Sequence, residues 1–434
     1  MSRMEASAQP QTKPGPSVLS ARTTLVEPTD PFAYLARHEG APRFLHWTSR
    51  ATLVGVGRCV ELVAQGPQRF DEVGRAARTW TERLAHERGP GVPESVGPRW
   101  MGGFAYNPGG HDADWPDARF VLPHRQLVLE DGRAYETLIG DAPPVVQPPP
   151  RTPTPPVPVV WRNDPNFEPW ATAVRQALDA VRNQVVEKVV LARRLHATLA
   201  APPRLPRLLR ALATRTPAGR VFLVEPRPDV AFLGASPELL LERRAGRVRT
   251  LALAGSRNRG RTDAEDETLA RALVASSKDA WEHEIVSRFL RARLNERGLP
   301  WTSPVERGVL RLPNVQHLET RFEAAADPGE SLLDLAARLH PTPAVGGWPP
   351  EAAQRLLERL ESSPRGWYAG AIGWFDAEGD GELTVGIRSA NVQGRDVVLH
   401  AGCGIVEGSD PAEEWAESRA KFQLLADAFE AEAA

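Results

Sequence analysis

Cysteine is nearly absent. Cys59 and Cys403 are the whole complement of a 434-residue chain, which excludes a disulfide framework and any metal centre built from several thiolates. A metal, if bound, must be held by oxygen or imidazole. An excess of charge of one sign is also missing: the formal net charge is -2 and the basic residues are scattered, so there is no stripe for a polyphosphate backbone, which argues against nucleic acid. No apolar run is long enough to span a membrane. Residues 1–20 are polar, rich in Pro and Gln, and lack the hydrophobic segment of a signal peptide, so they read as a disordered tail on a cytoplasmic protein. What is present, 41% hydrophobic residues, suffices for a large core.

Many of the 41 prolines mark loops, and their densest run, 142–158, reads as an extended linker. It separates a β-rich N-terminal region, 21–141, from a longer region, 159–434. In the latter, Phe167, Ala171, Val174, Leu178 and Val181 recur at helical spacing before β-branched residues take over at 185–192. Further strands are expected at 221–224, 230–233, 248–253, 367–375, 383–389 and 397–401. Long helices are expected at 263–297 and 413–431. Runs of strands divided by helical blocks favour a mixed or antiparallel sheet flanked by helices.

Several segments carry possible chemistry. On a strand, Lys188 shares a face with Val186, Val190 and Ala192. A lysine among apolar neighbours can accept a proton from water, because burial disfavours the charged form; the plain alternative is a strand-edge lysine with a wet head. Glu238 follows Ser236-Pro237 at a strand end, where catalytic groups are displayed and where helices also begin. Gly255-Ser256 is a tight turn with a hydroxyl, or only a turn. Asp279 and Glu282 share one helix face, with Trp281, Ile285 and Phe289 toward the core, and Glu414 and Glu417 share another beside Lys421. Four carboxylates on two helices suit Mg²⁺, although the second pair equally suits the first turn of a helix. Gly402 and Gly404 offer amides to an anion and Arg388 a fork for a carboxylate, or else they are a bulge and a surface arginine.

Taken in this order and spacing, these segments resemble the chorismate-utilising family, which includes isochorismate synthase, salicylate synthase, anthranilate synthase component I and aminodeoxychorismate synthase. The resemblance spans 159 to the C-terminus and is looser before it. It implies an α+β fold, layered antiparallel sheets flanked by helices, with the active site in a cleft and the N-terminal region packed on the main body. It also implies that chorismate is the substrate and Mg²⁺ the cofactor. By the same resemblance Lys188 is the base that activates water, Glu238 the acid facing the C4 hydroxyl, Glu282 and Glu417 the metal ligands, and Asp279 and Glu414 their outer partners. Gly255, Ser256, Ala344, Tyr368, Arg388, Gly402, Gly404 and Lys421 are implied to contact substrate.

Within the family, the presence of Lys188 implies water rather than ammonia as nucleophile, and hence no amidotransferase partner. Ala344 stands where members that eliminate pyruvate carry threonine, which implies release of isochorismate rather than salicylate. Menaquinone biosynthesis is the expected destination, with a siderophore pathway as the alternative. A chorismate-binding subunit without catalysis would have no use for Lys188 and Glu238 together. Ser256, Gly346 and Cys403 depart slightly from the family pattern without removing a reacting group.

Overall fold

The segment 188–191 is buried on both faces, as expected of a strand in a sheet covered on two sides. In the computed structural model, which describes residues 19–433 except 111, 144–156, 297, 299 and 314, it begins the strand Lys188–Thr198. Its antiparallel neighbour is Asp396–Ile405, paired residue by residue from Val189 opposite Ile405 to Thr198 opposite Asp396. These two strands belong to a 13-stranded sheet; a second sheet has nine strands, and residues of both sheets share a hydrophobic cluster that includes Phe44, Leu53, Met101, Val121 and Ile372. Helices cover the sheets, among them Phe167–Arg182, Ser277–Glu296 and Pro411–Ala433. The architecture is the α+β arrangement of antiparallel sheets and helices that the sequence led us to expect.

The N-terminal region is woven into both sheets. Arg43–Trp47 lies between Ala51–Val56 and Arg220–Arg227 in the larger one. In the smaller one Arg99–Phe104 separates Ala371–Asp376 from Ala118–Leu122. Across the first junction Arg43 forks onto Glu225, with Nε 2.5 Å from Oε2 and Nη2 3.0 Å from Oε1, both side chains 3% exposed. The expected linker lies mostly outside the described residues. So does the expected tail, except that Leu19 and Ser20 begin the strand Leu19–Val26 and pair with Leu84 and Ala85.

Three expected elements differ. The helix over 263–297 is two, Asp263–Ala275 and Ser277–Glu296, broken at Ser276, whose extended backbone lets its Oγ accept from the Asp279 amide. A hydrophobic period continues across such a break, so it does not reveal it. The strand over 367–375 starts only at Ala371, after a turn that holds Trp367 and Tyr368. The strand over 383–389 is also two, Gly381–Val385 and Ser389–Gln393. Between them Arg388 adopts a φ of 49°, a left-handed conformation that a non-glycine residue takes only where its surroundings impose it. Trp281, expected in the core, is 44% exposed, whereas Ile285 and Phe289 are buried.

Removing Arg43 would leave the Glu225 carboxylate buried without its fork. Arg43→Ala should therefore lower stability by about 3–5 kcal/mol. Chemical denaturation followed by fluorescence and by circular dichroism would measure it. Coincident curves with an unchanged midpoint would show that the joint between the two regions does not depend on this pair.

Candidate active site

Cross-strand partners share a face, so Lys188, Val190 and Ala192 lie on the same side as Gly404 and Gly402, which stand opposite Val190 and Ala192. A cavity opens on that side. Its lining includes Val190, Glu238, Gly255, Ser256, Glu282, Ala344, Tyr368, Arg388, Gly402, Gly404 and Lys421. Its free space, about 60 Å³, is smaller than that of two cavities near the N-terminal region, about 190 and 220 Å³. Convergence of charged groups, rather than volume, marks it as the site.

Lys188 is completely buried behind this wall. Its Nζ lies 3.0 Å from Glu282 Oε1, an ion contact whose angle is not that of a hydrogen bond. The contact passes over Gly404: a Cβ there would sit 2.1 Å from Glu282 Oε1 and 2.9 Å from Lys188 Cε. A Cβ at Gly402 would likewise sit 2.8 Å from the Tyr368 hydroxyl. The two strand glycines are therefore windows through which side chains from other elements reach the cavity. Gly255, at φ 76°, turns the chain tightly against Asp279.

Burial pushes the Glu238 carboxyl up to about 8, although the positive charges of Lys188, Lys421 and Arg388 oppose the shift. Glu238 is thus protonated at neutral pH. Glu282 behaves in the opposite way: burial works against its charge, but Lys188 and Lys421 outweigh burial and hold it below the usual range. The other carboxyls crowd one another. Burial raises Asp279, with Glu282 adding to the shift, and burial with Glu417 raises Glu414 to about 7.

Three of these carboxylates meet a lysine: Glu282 with Lys188 at 3.0 Å, Glu414 with Lys278 at 2.7 Å and Glu417 with Lys421 at 2.6 Å. Lys421 also donates to the Gly402 carbonyl. Ligand atoms of Cys403, Glu414 and Glu417 lie within 4.8 Å of one another. A set dominated by hard carboxylate oxygens fits a divalent cation such as Mg²⁺. The compact group differs from the pair expected as direct ligands, because Glu282 is drawn toward Lys188.

Two features escaped the sequence reading. His317 lines the cavity, with Nδ1 2.9 Å from Ser256 Oγ and Arg388 Nη2 3.2 Å from Nε2. Guanidinium only donates, so Nε2 accepts and Nδ1 carries the proton, which Ser256 Oγ can accept. That frees the Ser256 hydroxyl to donate into the cavity. Burial, reinforced by Arg388 and Lys421, lowers His317 far below its ordinary value and keeps the imidazole neutral. The second feature is lysine scarcity: of 53 basic residues only Lys13, Lys188, Lys278 and Lys421 are lysine. Three of the four meet here, a signal that was legible before folding.

A family profile described as "Chorismate binding enzyme" matches residues 4–140 and 145–430. The chain belongs to the chorismate-binding enzyme family. The match extends into the N-terminal region, beyond the 159–434 span of the sequence resemblance. Among curated relatives, isochorismate synthase MenF of Bacillus subtilis is 30% identical over 94% of this chain and 93% of its own. The salicylate biosynthesis isochorismate synthase of Pseudomonas aeruginosa is 33% identical over 95% and 90%. The solved structure of MenF, the menaquinone-specific isochorismate synthase from Escherichia coli, superposes with a TM-score of 0.79 at 25% identity, covering 96% of both chains.

In this chorismate-binding enzyme the neutral state of Glu238 makes a test that needs no substrate. Unfolded, the carboxyl has its ordinary value of 4.5, against about 8 when folded. Stability from the neutral form is therefore fully present below the unfolded value and is lost as pH rises through the folded one. Glu238→Gln carries no such dependence. Its melting temperature relative to wild type should rise between about pH 5 and about pH 8; a constant difference would show that Glu238 is ionised in the folded protein.

Proposed function

We propose that this enzyme is an isochorismate synthase that converts chorismate to isochorismate. The observation that carries the reading is the buried carboxyl of Glu238, whose protonated form burial favours, in a cavity with the Lys188 side chain buried behind its wall. Lys188, in its unprotonated form, takes a proton from a water that adds at C2, the ring double bonds shift, and Glu238 gives a proton to the hydroxyl leaving C4. One water enters and one leaves, so the reaction is an isomerisation. Arg388, Tyr368, the Ser256 hydroxyl and the amides at Gly402 and Gly404 orient the substrate's carboxylates. Mg²⁺ would be held by Glu417 and by Glu282, whose carboxylate would then be shared with or released by Lys188, with Glu414 and Asp279 around them, and it would supply Lewis-acid neutralisation of a ring carboxylate.

Ala344, in the cavity wall, supports isochorismate rather than salicylate as the released product, because it offers no hydroxyl to restrain an eliminating side chain. The MenF relative supports delivery to menaquinone biosynthesis, and the Pseudomonas relative favours salicylate as the second reading. Both names contain isochorismate synthase, so the product is their common ground. Water as the nucleophile leaves no task for an amidotransferase subunit; no helix among the described residues is long and apolar enough to cross a membrane.

Purified protein with chorismate and Mg²⁺, products resolved by chromatography, tests the activity. Isochorismate should accumulate without pyruvate, and Lys188→Gln should lose conversion while the protein stays folded. Salicylate plus pyruvate would select the rival, and a folded, fully active Lys188→Gln would remove the base. The rate should also fall as pH rises above about 8, where Glu238 loses its proton.

Metal dependence is a separate expectation. Chelation should stop turnover, and Glu417→Ala should raise the Mg²⁺ concentration needed for half-activity about tenfold or more. Undiminished activity after exhaustive chelation would show that the carboxylates serve only their lysines.

A further inference from the structure

One edge of the strand Lys188–Thr198 is covered by two short strands with a gap between them. Gly347–Trp348 pairs with Lys188 and Val189, and the Val190 amide donates to the Gly346 carbonyl at 2.8 Å. Strand pairing resumes only where Arg162–Asp164 meets Arg194 to His196. Across the gap a side-chain ion pair takes the place of the missing strand. Arg365 Nη2 donates to the Val190 carbonyl at 2.5 Å, and the Ala192 amide donates to Glu361 Oε1 at 2.9 Å.

The same guanidinium reaches a second wall of the cavity. Arg365 Nη1 donates to the Val345 carbonyl at 2.6 Å, and Nε donates to Glu361 Oε2 at 2.9 Å. Its carbon lies 4.4 Å from the centre of the Tyr106 ring and 5.9 Å from that of Tyr368. The Arg365 side chain is 4% exposed and Glu361 11%. Burial opposes the Arg365 charge, but Glu361 and Tyr106 outweigh it and keep the guanidinium ionised. Val190, Ala344, Val345 and Tyr368 all line the cavity, whereas Arg365 itself does not. A rigid planar fork fixes two carbonyls at a set separation, which a flexible ammonium does not.

We propose that Arg365, seated on Glu361, is a positioning residue that sets the spacing between the strand bearing Lys188 and the loop bearing Ala344, and so holds the base at its working distance from the substrate ring. This rests on the isochorismate synthase reading. Misplacement of a reacting group by about 1 Å can cost on the order of a hundredfold in rate while substrate affinity is kept. The signature is therefore a loss in kcat with little change in KM.

The test compares full-length wild type, Arg365→Lys and Glu361→Gln, each checked by thermal melting. Arg365→Lys keeps the charge against Glu361 but cannot span both carbonyls. Its kcat should fall about tenfold or more, with KM within about threefold of wild type. Glu361→Gln should show a smaller fall of the same kind, and it decides the matter if Arg365→Lys does not fold. Wild-type kcat in either folded variant would overturn the proposal, because a purely structural role lowers the melting temperature without changing turnover per folded molecule. If the wild type makes no isochorismate, the activity reading fails instead. Amide exchange of 344–348 then judges the positioning claim: faster exchange in folded Arg365→Lys supports it, and an unchanged rate overturns it.

Discussion

The side chain of Lys188 is buried against a carboxylate: Glu282 reaches its Nζ across a strand at Gly404, a position without a side chain. That contact constrains much of the site. Helix Ser277–Glu296 must lie where its carboxylate meets Nζ, Gly404 must remain glycine, and the strands that carry Lys188 and Gly404 must pair in the register that sets Val190 opposite Gly404. A slip of one residue would turn Lys188 to the opposite face and put Cys403 in the window. The charged centre and the sheet register are therefore a single requirement.

Charge is balanced locally around this centre. Lysines meet Glu282, Glu414 and Glu417, while Glu238 has none in contact and stays protonated. Burial raises Glu238 to about 8 and, with Glu417, raises Glu414 to about 7 even beside Lys278, whereas Lys188 and Lys421 outweigh burial and hold Glu282 below the usual range. A carboxyl held protonated, Glu238, and one held ionised, Glu282, thus coexist in one small cavity.

The N-terminal region contributes no reacting group, yet the cavity depends on it. Arg43–Trp47 and Arg99–Phe104 are interior strands of the two sheets, and Tyr106 packs against the Arg365 guanidinium that ties Val190 to Val345. Sheets buried on both faces leave little room for such strands to be lost. The looser likeness of this region at the level of sequence fits its task, since packing volume and strand pairing can be met by many residues.

The sequence by itself determined most of the elements that carry the candidate site. Lys188 on a β-branched strand, the carboxylates three residues apart on two helices, and the glycines at 402 and 404 follow local periodicity, which is written in consecutive residues. It also determined the family through the order of those segments. Only the tertiary structure decided who meets whom: that Glu282 turns to Lys188, that Cys403 joins Glu414 and Glu417, that His317 stands beside Ser256 and Arg388, and that Arg365 completes a strand edge. The left-handed turn at Arg388 and the break at Ser276 belong there too. These facts depend on antiparallel registers between strands tens of residues apart and on charges brought together by burial. Local sequence carries no record of either, because pairing is set by the combined packing of both sheets rather than by any one segment.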